Sequence, residues 1–343
     1  MAKGLIKTLQ WGVPLARNAL ITGRPFLLYL KPTARCNLRC DCCNRWQNED
    51  GPAEELTLES INQLLGKFWK AGCRVLTLWG GEPTLRSDLS DILSAAKAIG
   101  FRTAMCTNSY LLPRHGEAIL PQLDVLLCSL DGYGSRHDEL RGTPGLFDRV
   151  VESIELCTAY PSCHPKIWAS IQRDTVDQVD DLAYLAQRLG VGIEFFPISL
   201  IAGYNDEIVP PAGHLETAFG RVIELKRKGL PITNPDRALE IMRTGASFSC
   251  NFPQIAISVD HRGEVYTCED PAGNQLHGWG DHQQFEPGEV FSSPEWRQVV
   301  TNLKHCNLCR LPCMVELSGS IMRGLASAFV SRKLWRSWLP SGG

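Results

Sequence analysis

Three closely spaced cysteines near the start of the chain have the residue type and spacing needed to hold an iron–sulfur cluster. Cys36, Cys40 and Cys43 form a C-x3-C-x2-C motif directly after an apolar run. Three thiolates on a four-iron cubane leave one iron without a protein ligand, and an open position is what lets a metal centre perform chemistry. Structural zinc, the other interpretation, wants four ligands in two close pairs. Cys42 makes a poor fourth ligand, because adjacent side chains rarely point at one metal.

A second group of cysteines lies near the end of the chain. The pattern over 254–268 predicts a β-hairpin, which would bring Cys250 near Cys268. Together with the Cys306-x2-Cys309 pair this gives four thiolates, the full complement for one closed cluster or one structural zinc ion. Cys313 is a spare or substitute ligand. The cysteines at 73, 106, 128, 157 and 163 are scattered in apolar or helical segments, as expected of buried free thiols.

Composition sets the context for these sites. The 343 residues carry a formal net charge of −2, so we expect no nucleic-acid partner. No uncharged apolar run reaches the roughly 18 residues of a spanning helix, and the N-terminus lacks a secretion signal. We therefore expect a cytoplasmic protein, in which clustered cysteines bind metal instead of forming disulfides.

The elements that must position the first cysteines alternate between strand-like and helix-like runs. Six strands separated by helices imply parallel βα units with right-handed crossovers. This predicts an α/β fold, a partial (β/α)6 barrel with its chemistry on the loops after the strands. An open doubly wound sheet is the alternative. The predicted strands are 26–31, 74–79, 102–107, 125–130, 166–171 and 192–197, and the predicted helices are 57–71, 87–99, 113–120, 146–159 and 177–189.

After about residue 198 this alternation ends, and prolines interrupt a helical connection. We expect the remainder to contain a small cysteine-rich domain, stapled by metal because its own core is thin. The predicted units are an N-terminal helix (1–21), the barrel (22–200), a helical linker (201–245), the cysteine-rich domain (246–316) and an amphipathic tail (317–343).

Short motifs follow successive predicted strands. They are Gly80-Gly81-Glu82-Pro83, Thr107-Asn108-Ser109, Ser129-Leu130-Asp131-Gly132 and Phe195-Phe196-Pro197. Together with the cysteine triplet, these motifs resemble the radical S-adenosylmethionine (SAM) superfamily. Ser109 stands where that family usually has glycine, and Cys42 where it usually has an aromatic residue.

The resemblance implies SAM-binding roles for these turns. The motif from Gly80 to Pro83 would receive the SAM amino group, and Asn108 would lie on the next SAM-binding turn. Ser129 and Asp131 would face the ribose or carboxylate. The Phe196-Pro197 segment would stack on adenine. Asp138 and Arg141 are better explained as a loop-fixing ion pair than as catalysts.

The resemblance also implies the activity and the cofactors. A 4Fe–4S cluster on Cys36, Cys40 and Cys43, reduced by a flavodoxin or ferredoxin, would cleave SAM to a 5′-deoxyadenosyl radical that abstracts hydrogen from a substrate. The C-terminal cysteines resemble the SPASM or shorter twitch extension, which holds auxiliary clusters. Only five cysteines occur here, which suits the single auxiliary 4Fe–4S cluster of a twitch domain.

Several substrate classes remain open. The first is a small molecule whose radical passes an electron to the auxiliary cluster. A ribosomal peptide is less favoured, because only about 25 residues precede the first predicted strand. A lipid or isoprenoid is also possible, because segments 3–20 and 320–338 are apolar and cationic and could contact a membrane surface peripherally. An iron–sulfur scaffold or sensor is the non-enzymatic alternative.

No general acid or base can be assigned from the sequence. The candidates on loops that face the barrel mouth are Gln172, Arg173, Glu194, Tyr204 and Asp206. Tyr133 and His137, on the loop after the fourth predicted strand, are candidate substrate contacts.

Overall fold

A computed structural model describes Asn18 and residues 23–315. Its strands form one mixed sheet in the order β6-β5-β4-β3-β2-β1-β7-β8-β9. The strands are β1 (Leu27–Leu30), β2 (Val75–Leu78), β3 (Arg102–Thr107), β4 (Val125–Ser129), β5 (His164–Ile171), β6 (Gly192–Pro197), β7 (Ala256–Val259), β8 (Glu264–Glu269) and β9 (Gln275–Asp281).

Helices alternate with the first six strands, as the sequence predicts. The α-helices of the described residues are α1 (Leu58–Ala71), α2 (Leu89–Ile99), α3 (Leu112–Ile119), α4 (Ser135–Arg141), α5 (Leu146–Thr158), α6 (Val179–Leu189), α7 (Ala212–Arg227), α8 (Asp236–Thr244), α9 (Phe252–Ile255), α10 (Pro287–Val290), α11 (Pro294–Leu303) and α12 (Pro312–Val315). Helix α4 was not predicted, and it carries residues of the candidate site.

The strand order decides between the two predicted architectures. From β1 to β6 each new strand is added in parallel on the same side of the previous one. Right-handed crossovers then place the connecting helices on one face, whereas a doubly wound sheet reverses its strand order and is covered on both faces. The partial barrel is therefore confirmed, and the doubly wound alternative is wrong.

Local sequence explains how the barrel face is built. Helix α1 begins after Thr57, whose hydroxyl accepts the Ser60 amide at 3.1 Å, and ends at Gly72 in the left-handed conformation. In β1, Leu28 and Leu30 are fully buried. Because strand side chains alternate, Tyr29 between them points to the opposite face of the sheet.

The predicted C-terminal hairpin is present, and it extends the same sheet. Strand β7 pairs in parallel with β1 and antiparallel with β8, with Ser258 opposite Tyr266. Strand β9, which was not predicted, continues the antiparallel ladder. The cysteine-rich segment therefore lies beside β1, the strand that leads into the first cysteine motif. The predicted domain boundaries stay predictions.

The terminal segments proposed to contact a membrane, 3–20 and 320–338, lie outside the described residues apart from Asn18. Within Asn18 and residues 23–315, no helix has the length and apolar character needed to cross a membrane.

Candidate active site

The first cysteine motif forms a loop at the carboxyl end of β1. Cys40 is buried, and Cys36 and Cys43 are half-buried. Burial, with smaller contributions from negative charge on Glu82, Cys40 and Cys43, raises the pKa of Cys36 to about 12, so the three thiols lie within electrostatic reach of one another. No three Cys, His, Asp or Glu side chains of the described residues converge on a single metal ion.

A cation lies against this loop. The Arg141 guanidinium, on helix α4, lies with Nη1 3.8 Å from the sulfur of Cys40. A hydrogen bond from the Cys42 thiol and the charge of Arg141 lower the pKa of Cys40 to about 6 against the opposing effect of burial. The same hydrogen bond, together with burial, raises the pKa of Cys42. Cys42 thus favours the thiolate form of Cys40 by donating a hydrogen bond to it.

The paired glycines after β2 are needed by the cysteine loop itself. A Cβ atom on Gly81 would lie 2.0 Å from the carbonyl oxygen of Arg35, and one on Gly80 would lie 2.9 Å from that of Thr33. Gly80 also has a φ of 124°, which side chains rarely adopt. The amide of Glu82 then donates to the Arg35 carbonyl at 2.8 Å. From the resemblance, the motif from Gly80 to Pro83 was expected to receive the SAM amino group. In the structure, the absence of side chains on its two glycines lets the backbone of the cysteine loop approach closely.

Glu82 is buried and is held by the next turn of the barrel. Its Oε1 accepts from the Thr84 amide at 3.1 Å, the Thr84 hydroxyl at 2.6 Å and the Thr107 hydroxyl at 2.7 Å. Its Oε2 accepts from the Asn108 amide at 2.8 Å. Burial raises the pKa of Glu82, while these bonds act in the opposite direction. Oε2 accepts one bond here, and a carboxylate oxygen has the capacity to accept a second. Pro83, which begins the next short turn, is buried.

The turn after β3 also reaches the cysteine loop. The Asn108 side chain donates to Asn37 Oδ1 at 2.9 Å, between the first two cysteines of the motif. Ser109 has a φ of 64°, the left-handed conformation that a glycine would adopt more easily. The substitution seen in the sequence therefore keeps the backbone shape of the turn.

Asp131, expected to face SAM, is committed to protein partners. Its Oδ1 accepts from the Ser170 amide and hydroxyl at 2.9 and 2.7 Å, and its Oδ2 accepts two bonds from Arg141. Burial alone would raise the pKa of Asp131, but Arg141, His137 and Ser170 hold it below its ordinary value. Asp131 therefore positions Arg141. Asp138 does not pair with Arg141; it accepts from the backbone amides that begin helix α5.

The remaining expected SAM contacts lie on the neighbouring strands. The hydroxyl of Ser129, at the end of β4, is 4.0 Å from the Cys106 sulfur. Phe196 is half-buried against Trp168, with ring centroids 5.2 Å apart. Pro197 ends β6 beside Ile171.

The loop after β6 closes over the cysteine motif, a relationship that sequence patterns did not reveal. The Tyr204 hydroxyl donates to the Cys43 carbonyl at 3.0 Å and accepts from the Trp46 indole at 3.3 Å. The buried Asn205 side chain lies 3.4 Å from the Cys42 carbonyl. This Tyr204–Asn205 clamp fixes the end of the motif.

Other residues considered for acid–base roles have structural partners. Glu194 pairs with Lys166 at 2.5 Å. The Gln172 amide donates to the Ser170 hydroxyl at 3.1 Å. Asp206 accepts the amide of Gly203, and Arg173 donates to a backbone carbonyl. Tyr133 is exposed.

Three of the C-terminal cysteines interact. Burial, with smaller contributions from negative charge on Cys309 and Cys306, raises the pKa of Cys250 to about 12. The Cys250 amide also donates to the carbonyl of Lys304 at 2.9 Å. Cys268 lies on β8, with its sulfur 3.5 Å from the Glu269 carbonyl oxygen. Cys313 lies in α12, and its side chain is not among the described groups.

A cysteine loop and SAM-type turns at the carboxyl ends of a partial barrel define a radical SAM core. Residues 30–164 match the radical SAM superfamily. The chain therefore carries a radical SAM domain and is an enzyme of that class, whose members use a 4Fe–4S cluster and SAM. Its cysteine-rich C-terminal region fits the SPASM-type branch.

Relatives and solved structures extend this similarity over most of the chain. Mycofactocin maturase MftC of Mycolicibacterium smegmatis is 25% identical over 311 residues, covering 84% of this chain and 78% of the relative. AdoMet-dependent heme synthase of Oleidesulfovibrio alaskensis is 23% identical, covering 78% and 73%. Streptococcus suis SuiB bound to S-adenosylmethionine shares the fold with a TM-score of 0.68 at 18% identity, covering 88% and 71%. Native anSMEcpe with bound AdoMet gives 0.59 at 17% identity, covering 91% and 98%.

Proposed function

We propose that Cys36, Cys40 and Cys43 hold the catalytic 4Fe–4S cluster and that the enzyme uses SAM to abstract a hydrogen atom from its substrate. The observation that carries this assignment is the half-buried Arg141 guanidinium against Cys40, within the residues that match the radical SAM superfamily. When bound, the reduced cluster supplies the electron that splits SAM into methionine and a 5′-deoxyadenosyl radical.

The chain's own residues would bind and orient SAM. Glu82 Oε2 has capacity to accept from the SAM ammonium, since Asn108 is its partner within the described residues. Arg141 would donate to the SAM carboxylate from beside Cys40, with Asp131 holding it in place. The Ser129 hydroxyl, which can both donate and accept, would donate to the same carboxylate or bind the ribose.

The adenine would lie farther along the sheet edge. The Phe196-Pro197 segment ends β6, and the Phe196 ring packs against Trp168. Such a surface presents backbone groups and an aromatic face to a base. Water exclusion by these side chains would protect the radical from quenching.

We further propose that the C-terminal cysteines hold a second 4Fe–4S cluster. The electrostatic interaction of Cys250 with Cys306 and Cys309 supports a shared site. Cys268 is the fourth proposed ligand, and Cys313 its substitute. A closed site of four thiolates also suits a structural zinc ion, so metal analysis must distinguish a 4Fe–4S cluster from zinc.

For the substrate we propose a small molecule in a biosynthetic pathway, with the second cluster accepting an electron from the substrate radical. The second candidate is a ribosomal peptide, favoured by the similarity to mycofactocin maturase over 84% of this chain. A flavodoxin or ferredoxin would supply the first electron. The hypothesis of a lipid substrate depends on the terminal segments, which lie outside the described residues.

The test is anaerobic iron and sulfide analysis together with dithionite-driven SAM cleavage. We expect about eight irons in the wild type and about four in the Cys36/Cys40/Cys43 triple-alanine variant, with no 5′-deoxyadenosine from the variant. Cys73→Ala is the matched control, because Cys73 is a fully buried thiol that belongs to neither cysteine group. SAM cleavage by the triple variant would contradict the assignment.

A further inference from the structure

Two thiols lie in contact at the connection between helix α5 and strand β5. The Cys157 thiol donates a hydrogen bond to the sulfur of Cys163 at a distance of 2.9 Å. Cys157 lies in the last turn of α5, and Cys163 directly precedes β5. The pair is therefore at the amino end of β5, whereas the proposed SAM-binding turns follow the carboxyl ends of the strands. Neither thiol belongs to the two cysteine groups proposed to hold clusters.

Two consecutive backbone turns bring these sulfurs together. The Tyr160 amide donates to the Cys157 carbonyl at 2.9 Å, and the Cys163 amide donates to the Tyr160 carbonyl at 3.0 Å. The His164 amide donates to the Asp124 carbonyl at 2.9 Å and so anchors the start of β5. To reach a disulfide bond length of about 2.05 Å, the two thiol sulfurs must approach by less than about 1 Å. A bond between them therefore needs little movement of the backbone.

The two thiols differ in protonation and in access. The hydrogen bond to Cys163, and then burial, raise the pKa of Cys157 above its ordinary value, so Cys157 keeps its proton. The same hydrogen bond stabilises negative charge on the Cys163 sulfur, which makes Cys163 the better nucleophile. Cys157 is fully buried and Cys163 is 3% exposed, but four of the five residues between them are exposed. Local opening of this short connection exposes Cys163 to a reagent in solution.

A third thiol in the same region provides a comparison. Cys128, on β4, is fully buried, and negative charge on it contributes to the raised pKa of Cys157. Burial, with a smaller contribution from negative charge on Cys163, raises the pKa of Cys128 itself to about 12. Of the three thiols, Cys157 and Cys163 are the two joined by a hydrogen bond. Cys128 therefore shares their buried environment without sharing their contact.

We propose that Cys157 and Cys163 form a reversible disulfide by exchange with a small-molecule disulfide such as oxidised glutathione. The Cys163 sulfur attacks one sulfur of oxidised glutathione, which forms a mixed disulfide and releases one glutathione. The Cys157 sulfur then attacks the Cys163 sulfur and releases the second glutathione. One oxidised glutathione is thus reduced to two thiols, which take up the two cysteine protons, for each protein disulfide formed.

The disulfide would tie the end of α5 to the start of β5, the strand whose Ser170 holds Asp131. This inference does not depend on the proposed function, because neither cysteine lies in the cluster motifs or in the SAM-binding turns.

The test measures the redox state of the pair by mass spectrometry. The cluster-loaded enzyme is equilibrated without oxygen in buffers of increasing oxidised-to-reduced glutathione ratio, denatured in N-ethylmaleimide and digested with trypsin. Cleavage after Arg149 and Lys166 releases one peptide that contains Cys157, Cys163 and no other cysteine. The reduced pair carries two labels, and the disulfide carries none. Cleavage after Arg114 and Arg136 releases Cys128 in a separate peptide, which is the internal control.

We expect more than about half of the pair to lose both labels at a ratio that leaves Cys128 labelled, because a neighbouring thiol acts at high effective concentration. Excess dithiothreitol should restore both labels. In Cys157→Ser, Cys163 should keep its label or carry a single glutathione. Cys128→Ser is the matched control variant, and it should leave the oxidation of the pair unchanged.

A wild-type pair that keeps both labels at every ratio would overturn the proposal. A disulfide that joins Cys128 to either of the other two thiols would also overturn it, because the contact seen in the structure would then not select the partner. The same conclusion would follow if the pair and Cys128 lost their labels together, since oxidation would then reflect general opening of the fold.

Discussion

Arg141 binds Asp131 through two guanidinium nitrogens, Nε at 2.9 Å and Nη2 at 2.5 Å, which donate to the same carboxylate oxygen. The third nitrogen lies 3.8 Å from the sulfur of Cys40. Ser170 on β5 holds the other oxygen of Asp131. The β5 strand therefore sets, through one carboxylate, the position of the cation at the cysteine loop.

Arg141→Gln should lower the free energy of unfolding by about 3–5 kcal/mol, because it leaves the buried Asp131 carboxylate unpaired. It should also weaken SAM binding. Urea unfolding followed by circular dichroism measures the first effect. In the Asp131→Asn/Arg141→Gln double variant the loss should be smaller than the sum of the single losses. Additive losses would show that the pair is not coupled.

Replacing Cys250 and Cys268 together with alanine should remove about half of the iron, since each cluster holds four irons. SAM cleavage without substrate should persist, because the first motif is intact. Cys313→Ala alone should keep the iron if Cys268 is the fourth ligand. If the wild type contains zinc and the double variant keeps all of its iron, the C-terminal cysteines hold a structural zinc ion and no second cluster.

Tyr204→Phe should make the first cluster more labile. It removes the hydrogen bond to the Cys43 carbonyl, worth about 1 kcal/mol, so chelators should remove iron about fivefold faster. The visible absorbance of the cluster reports the rate. Tyr184→Phe, at a tyrosine that is 50% exposed, is the control. Equal rates in Tyr204→Phe and the wild type would contradict the clamp.

His137 should make stability fall as the pH drops from about 6.5 to 4. Burial, and then the charge of Arg141, lower the pKa of His137 to about 4. The unfolded chain takes up its proton near pH 6.5 while the folded chain keeps His137 neutral, with Nδ1 accepting the Asp131 amide. The loss should approach about 3 kcal/mol at pH 4.

The measurement is the free energy of unfolding of the wild type and His137→Gln at several pH values. The difference between the two proteins should change over this pH range and be constant above pH 7. A difference independent of pH would contradict a buried neutral imidazole.

Ser109→Gly should be neutral to stabilising by up to about 1 kcal/mol, because glycine adopts the left-handed conformation without strain. Ser109→Val should destabilise by more than that, since a β-branched residue fits this conformation poorly. Thermal unfolding of both variants measures the contrast. A stabilising Ser109→Val would show that the turn is not left-handed.

The sequence by itself determined the βα alternation, the hairpin over β7 and β8, and the cysteine groups. These features are local: apolar periodicity, turn residues and ligand spacing are fixed within a few residues of one another. The motif turns were also found because each follows its strand directly. The sites they form remain predictions, but their places at the carboxyl ends of the strands were set by the alternation.

Only the tertiary structure decided which groups those motifs meet. Asp131 is occupied by Arg141 and Ser170, and the Gly80-Gly81 pair admits the cysteine loop. The pairing of β7 with β1 brings Glu269 to Lys31, residues 238 apart in the chain. Such contacts depend on strand order and burial, and local patterns do not encode them, because many partners of equal chemistry are available along the chain.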